Sequence, residues 1–516
     1  MRPTTASGSS EALSVTSSKQ NALQAGSCRA FLSLFRSLPA SLVTARVHLT
    51  LDEKRFVQLE PDRGQWRRRR TSQFDRRHIS EIQYIPRKGA NSLFPGMDIM
   101  EIKRDIYLDK LIRKKKNGLI KVVTGVRRCG KSYLLFRLFH RHLTEAGVPA
   151  DHIIEVALDD RANKALRDPD MMLAFVKSRI QDDKDYYVLL DEVQYMNEFE
   201  DVLNSLLHIP NADIYVTGSN SSFLSSDIIT QFRGRGDEIH VYPLSFREYC
   251  SVYQGTLDEA WDDYMTYGGL PLVLSMESDV DKVEYLTALF QKVYISDIVE
   301  RHNVRNKEEL DELVDVLASA MGSYTSLVKL TKTFKSVKNK TISDKTIRNY
   351  IDYLTDAFLI SKATRYDIKG RKYIGPPSKY YFEDVGLRNA RLGFRQIEET
   401  HLMENIIYNE LRIRGCHVDV GVIEHYGKKD DGRREKRMLE VDFVATRGSE
   451  KYYIQSAYSL SAPGKAEQEQ RSLLNIPDSF RKIIVTGNNM KVRRDENGIT
   501  MIGLRNFLLD EDSLRL

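Results

Sequence analysis

Between residues 100 and 250, short apolar runs alternate with amphipathic stretches, as a sheet layered by helices requires. Residues 119–124 predict a first strand, and Leu134, Leu135, Leu138 and Phe139 share one face of the helix behind it. Further strands are predicted over 153–160, 186–190, 213–217 and 238–242. After the third, Phe199, Val202, Leu203, Leu206 and Leu207 recur at i, i+3, i+4, i+7 and i+8, the stripe of a helix with one buried face.

The pattern then changes. Residues 251–315 read as helical, with Trp261, Tyr264, Leu286, Leu289 and Val293 as core positions. Over 316–395 a winged helix is expected. Ser343 caps a helix whose buried stripe is Ile347, Ile351 and Leu354 and whose other face carries Lys345, Arg348 and Asn349. Strands at 357–362 and 372–374 flank a basic turn, Lys369-Gly370-Arg371. Residues 396–516 form a last domain with the order α-β-β-β-α-β: a helix around Met403–Tyr408, strands at 418–423, 439–445 and 452–457, a helix at 467–474 and a strand at 482–486.

Residues 1–97 show no sustained period, and disorder is expected there. They hold 16 Lys+Arg against 7 Asp+Glu, a balance of +9, including the run Arg67–Arg70. The remainder holds 62 against 65, or −3, so the net charge of +6 describes the extension and not the body. Three readings stand for this extension: a transit peptide, a basic nucleic-acid arm, or a start codon assigned upstream of the true one at Met97 or Met100. The third is favoured, because recognisable patterning begins at Met100. No run approaches the roughly 18 apolar residues of a membrane helix. Cys28, Cys129, Cys250 and Cys416 are far apart, with neither metal-type spacing nor a disulfide framework, which suits a reducing cytoplasm.

The chemistry concentrates after the first strand, where Gly125-Val126-Arg127-Arg128-Cys129-Gly130-Lys131-Ser132 has the spacing G-x4-G-K-S. The glycines let backbone amides wrap a triphosphate, Lys131 supplies a charge for the β- and γ-phosphates, and the Ser132 hydroxyl can hold Mg2+. The nucleotide-binding stretch runs from Gly125 through Tyr133, and Cys129 reads as a small loop filler rather than a nucleophile. At the tip of the third strand, Asp191 is placed to hold the Mg2+ beside Ser132, and Glu192 to polarise the attacking water. Asn220, after the fourth strand, is a candidate for orienting water or γ-phosphate. Arg233 and Arg235 are candidates for the charge that stabilises the transition state, in cis or from a neighbouring subunit. Arg301, after the helical run, is weighed between approach to the nucleotide and a helix-surface salt bridge.

Together Gly125–Ser132, Asp191-Glu192-Val193-Gln194, Thr217-Gly218-Ser219-Asn220, Phe232-Arg233-Gly234-Arg235, Pro243-Leu244-Ser245-Phe246 and Tyr267-Gly268-Gly269-Leu270-Pro271 resemble the prokaryotic AAA-superfamily ATPases that carry a C-terminal domain of unknown function. The resemblance covers roughly residues 100–516. It implies an α/β fold with an AAA-type P-loop sheet of order 5-1-4-3-2 over 100–250, a helical lid over 251–315, and ATP as the nucleotide.

Residues 396–516 resemble the restriction-endonuclease-like fold. Glu404, Asp442 and Gln455 fall where that superfamily places its metal-binding carboxylates or their substitute, with Glu440 two residues before Asp442. The lysine normally found two residues after the third position is here Ala457, so an inactive nuclease-like domain is expected. The expectation is a cytoplasmic, Mg2+-dependent AAA-type ATPase that moves its appended domains against a partner. That partner is double-stranded DNA at the winged helix or a docked protein, and a homo-oligomer is compatible with an arginine acting in trans. The rivals are an ATP-gated DNA nuclease and a nucleotide-sensing DNA-binding regulator without turnover.

Overall fold

The computed structural model describes three strands within residues 47–71 and then residues 101–218, 234–337, 342–428, 434–460 and 464–516. The chain divides into two units, Met1–Gln83 and Tyr84–Leu516. In the first, β1 (Val47–Thr50), β2 (Phe56–Asp62) and β3 (Gln65–Thr71) form an antiparallel sheet in which Glu60 is registered opposite Arg67 and Gln58 opposite Arg69. No regular element is expected there from the apolar pattern; the pairing is carried by main-chain register along the basic run.

The second unit opens with α1 (Asp105–Arg113) and β4 (Ile120–Thr124). The helix behind β4 is α2, residues 131–145, whose middle turns at Leu134–Phe139 have π-type bonding. Then follow β5 (Ile153–Ala157), α3 (Pro169–Arg179), β6 (Tyr186–Asp191), α4 (Phe199–Leu206), β7 (Ala212–Thr217) and β8 (Gly236–His240). The strands pair in parallel in the order β5-β6-β7-β4-β8. Counted along the sheet from its last strand this is 5-1-4-3-2, the expected AAA-type arrangement. Helices cover both faces, which is why β4 and β6 are buried along their whole length. Val123 faces a core with Leu134, Leu138, Phe139 and Tyr215, while Ile120 and Val122 face Val156, Val188, Leu203 and Ile214.

The helical stretch comprises α5 (Phe246–Cys250), α6 (Leu257–Tyr267) and α7, residues 279–301. Ser245 with Glu248 and Thr256 with Glu259 form reciprocal capping boxes that start α5 and α6. Leu286, Leu289 and Tyr264 are buried as the periodicity predicts, and Trp261 and Val293 pack against the same core.

Beyond α8 (Lys307–Ser319) and α9 (Leu327–Val337), Ser343 caps α10 (Asp344–Asp356), whose Ile347, Ile351 and Leu354 are buried. The two following strands are longer than predicted: β9 (Ile360–Asp367) and β10 (Lys372–Phe382). Both belong to a single eight-stranded sheet completed by β11 (His417–Lys428), β12 (Arg434–Arg447), β13 (Glu450–Ala457), β14 (Arg481–Thr486), β15 (Arg493–Arg494) and β16 (Ile499–Gly503). Its order is β10-β9-β11-β12-β13-β14-β16-β15, and the parallel pair β9–β11 carries it across residue 396. The helices of this part are α11 (Val385–Arg391), α12 (Glu399–Ile413), α13 (Lys465–Leu474) and α14 (Leu504–Leu509). From α12 to β14 the elements run α-β-β-β-α-β, the predicted order. Helix α11 packs so closely on α6 that a Cβ at Gly386 would collide with the Tyr267 carbonyl. Among the described residues, no helix is long and apolar enough to cross a membrane.

Candidate functional site

Parallel strands that start together also end together, so β4, β6 and β7 bring three chain segments to one edge of the sheet. The loop after β4 turns at once: a Cβ at Gly125 would strike the Val241 carbonyl, and its φ of 136° leaves the position to glycine. Gly130 and Arg128 also have positive φ, and Arg128 is exposed. Cys129 is buried, its thiol donating to the Val241 carbonyl at 3.2 Å, and burial pushes its pKa up. It fills the loop, as expected. Lys131 opens α2 and donates to the carbonyls of Gly125 and Val126 at 2.9 and 3.1 Å. Tyr133, the last residue of the expected stretch, is half-buried on α2.

At the tip of β6, Asp191 is 1% exposed. Its Oδ1 accepts from the Ser132 hydroxyl at 2.9 Å and from the Thr217 hydroxyl at the end of β7. Burial raises the Asp191 carboxyl to about 6; those two hydroxyls pull it down and the charge of Glu192 pushes it up. Glu192 leaves the strand in the left-handed region, φ 53°, with its amide donating to Thr217 Oγ1 at 3.0 Å. The Gln194 carboxamide donates to Glu192 Oε2. Ser132, Asp191 and Glu192 thus stand together as the spacing predicts.

The arginines divide. Asn220 and Arg233 lie outside the described residues. Arg235 is described, and it is not at this edge. Its carbonyl accepts from the Ile120 amide at 2.8 Å, which puts it at the start of β8, the opposite end of the sheet from Gly125. Five residue steps of strand separate Ile120 from Gly125, roughly 17 Å. Action of Arg235 in cis is corrected by this register, which sets the exposed residue at the end of the sheet away from its own phosphate loop. Arg301 is half-buried in α7, close enough to Asp297, Arg127 and Glu192 to feel their charges, with burial pulling its pKa down. It stands beside the loop.

Two residues that carry no role in the sequence reading support the loop. Arg104, 3% exposed, donates to the Cys129 carbonyl at 3.2 Å and the Tyr242 carbonyl at 2.6 Å, and pairs with Glu248 at 3.2 Å. Its signal is faint: a single arginine after Lys103, three residues before a buried tyrosine. The second, Tyr294 of α7, donates to the Arg127 carbonyl at 2.7 Å, while Arg127 pairs with Asp297. His240, ending β8, spans from Thr124 Oγ1 (Nδ1, 3.0 Å) to Glu383 Oε2 (Nε2, 3.2 Å), linking the phosphate-loop strand to the end of β10.

A second cluster lies in the C-terminal sheet. Glu404 on α12 and Glu440 and Asp442 on β12 converge as predicted, and Gln455 on β13 is next to them, its carbonyl oxygen 3.4 Å from the Asp442 amide. The expected lack of a cation there is corrected. Lys379 of β10 places its Nζ 2.8 Å from Glu404, 2.6 Å from Glu440 and 3.8 Å from Asp442.

Comparison with known proteins places an AAA domain family over residues 117–250 and a domain family of unknown function over 258–398. An uncharacterised protein of Haemophilus influenzae is 31% identical over 414 residues, 79% of this chain and 98% of that one. An uncharacterised protein of Methanocaldococcus jannaschii is 29% identical over 407 residues, 76% of this chain and 84% of that one. Among solved structures, the ORC1 protein of Aeropyrum pernix in complex with DNA aligns with 58% of this chain and 95% of its own, at 12% identity and a TM-score of 0.25. A score that low carries no argument.

Proposed function

Because this chain belongs to one family with the Haemophilus influenzae protein and matches an AAA domain over residues 117–250, we propose that it is a Mg2+-dependent ATPase whose nucleotide state is passed to the domains that follow. The observation that carries the reading is the convergence of Lys131, Ser132, Asp191 and Glu192 at one sheet edge. Loop amides and the N-terminus of α2 receive the triphosphate, and Lys131 turns from the loop carbonyls to its β- and γ-oxygens. Ser132 Oγ and Asp191 Oδ1 are adjacent hard oxygen donors, and a buried carboxylate short of compensating charge suits a small divalent cation. A Mg2+ held by these two oxygens would neutralise phosphate charge. Glu192 accepts a proton from the water aligned on the γ-phosphate. Arg301 offers positive charge from the same chain, whereas Asn220, Arg233 and Arg235 are proposed only as contributors from the loop or a second copy.

Three contacts support the coupling. Tyr294 and Asp297 hold the loop to α7, the lid stretch, and His240 with Glu383 joins β4 to the eight-stranded sheet. The division into lid (251–315), winged-helix part (316–395) and nuclease-like part (396–516) is retained as an organisation of sequence, with one sheet shared by the last two. Lys345 and Arg348 on α10, with the turn Lys369–Arg371, make duplex DNA the partner proposed for this region. Steady-state ATPase assays of the full chain, wild type beside Glu192→Gln, with and without duplex DNA, test this. A fall in turnover of about 100-fold or more with ATP binding retained supports the ATPase, and stimulation by DNA supports the partner. No turnover under any condition leaves the nucleotide-sensing regulator.

A further inference from the structure

The nuclease-like resemblance implies a divalent metal among Glu404, Glu440 and Asp442, and the side chains there do not fit one. An ammonium group already stands at their meeting point, 2.6–3.8 Å from one oxygen of each. Lys379 is held from strand β10, 5% exposed, so it is a fixed part of the cluster and no passing surface charge. Other donors also hold these carboxylates. Tyr381 donates to the same Glu404 oxygen at 2.7 Å, and the Ser456 amide donates to Asp442 Oδ2 at 2.8 Å. At the third position, the amide nitrogen of Gln455 donates to Glu469 at 2.9 Å, and Glu469 pairs with Lys465 at 2.7 Å. Among the described residues, no group of three or more His, Cys, Asp or Glu side chains is arranged to hold a metal ion.

We propose that Lys379 is a built-in replacement for the metal: its ammonium group occupies the cation position between α12, β10 and β12, and the cluster closes the C-terminal domain without a divalent ion. Three carboxylates around a metal need a charge of two or more; around one ammonium they leave a surplus of negative charge. Burial, then the charge of Glu404, drives the Asp442 carboxyl well above the usual carboxylate range. Burial opposes the charge on Lys379, but Glu404, Asp442 and Glu440 outweigh it and hold its pKa above that of an ordinary lysine. Tyr324, whose ring centroid is 5.7 Å from the ammonium, covers the cluster from the turn before α9. The position two residues beyond Gln455 is free to be Ala457 because the charge comes from another strand. The inference is independent of the ATPase reading, since it concerns residues remote in sequence from the phosphate loop.

The test uses nucleotide-free full chain and Mn2+ as the probe. Wild-type protein is expected to show no Mn2+ binding by calorimetric titration that Glu440→Gln removes, and no change in Tm with Mn2+ or chelator. Lys379→Met is expected to lower Tm by roughly 5 °C or more, because it leaves carboxylates buried without their cation, and Mn2+ is expected to restore part of that loss. The restoration disappears in Lys379→Met/Glu440→Gln. Mn2+ binding to wild type that is lost in Glu440→Gln overturns the proposal, and this arm stands even if Lys379→Met fails to fold. A folded Lys379→Met variant indifferent to Mn2+ overturns it equally.

Discussion

Ser132 Oγ donates to Asp191 Oδ1 at 2.9 Å, so the first turn of the helix behind the phosphate loop is bonded to the tip of a strand 59 residues away. The bond joins the two residues whose oxygens a cation between nucleotide and protein would need. It also sets the electrostatics of the site, since this carboxylate is the one at the sheet edge that burial disfavours.

A pH dependence follows from Asp191. Its folded pKa, about 6, lies above its ordinary value of 3.8, so the folded state binds the extra proton between those values. Below about pH 4 the group is protonated folded or unfolded and costs nothing. Stability is lost as pH rises towards 6 and stays lost above it, on the order of 2–3 kcal/mol. Asp191→Asn removes the titration, so its Tm should exceed wild type at pH 7.5 and match it near pH 4, measured without nucleotide. The same variant should lose ATP turnover. A Tm difference equal at both pH values would sink this account.

Arg104 is the buried cation on which the loop leans. Replacing it with Met leaves Glu248 without its partner and frees the Cys129 and Tyr242 carbonyls. Breaking a buried pair typically costs about 3–5 kcal/mol. Denaturant unfolding should show a loss of that order, and ATP affinity should fall with it. Arg104→Lys should recover only part of either, since one ammonium cannot reach three acceptors in a plane.

Gln194 holds the carboxylate assigned to water activation. Gln194→Ala is expected to raise kcat by about tenfold or more, because a hydrogen bond to a charged group is worth about 1.5–3 kcal/mol and must be surrendered when Glu192 turns to water. The nucleotide Kd should not move. A lower kcat would show that the carboxamide orients Glu192 instead of restraining it.

His240 and Glu383 connect the two sheets. Glu383→Gln keeps the shape and removes the charge, so unfolding should change by about 1 kcal/mol while any stimulation of ATPase by DNA is lost. Retained stimulation would place the coupling elsewhere, with the contact of Tyr294 on Arg127 as the next to test.

The legible parts were those written in local spacing. Strand runs, the phosphate loop, the acidic pair after β6 and the stripe of α10 each depend on residues within about ten positions. Arg104 and Lys379 were illegible for one reason: each meets its partners across long separations, 25 and 138 residues for the carbonyls held by Arg104. A lysine in Ser378-Lys379-Tyr380-Tyr381 reads as an outward residue until Glu404, Glu440 and Asp442 are known to meet it. Arg235 failed in the other direction. Its motif is near the site in sequence, but parallel register carries it to the far end of the strand. The strand expected over 372–374 ends before Gly375-Pro376-Pro377, whereas the structure resumes pairing at Lys379 after a register shift.

The family match that begins at 258 ends at 398, yet hydrogen bonds of the eight-stranded sheet pass directly over that point, from β9 to β11. A protein divided there would expose the open edge of β9 on one fragment and of β11 on the other, an invitation to aggregate. The two stretches therefore have to be inherited, exchanged and expressed as one piece. A relative that swapped only its last 118 residues would have to replace a main-chain seam as well as side chains, which makes residue 398 a poor place for recombination.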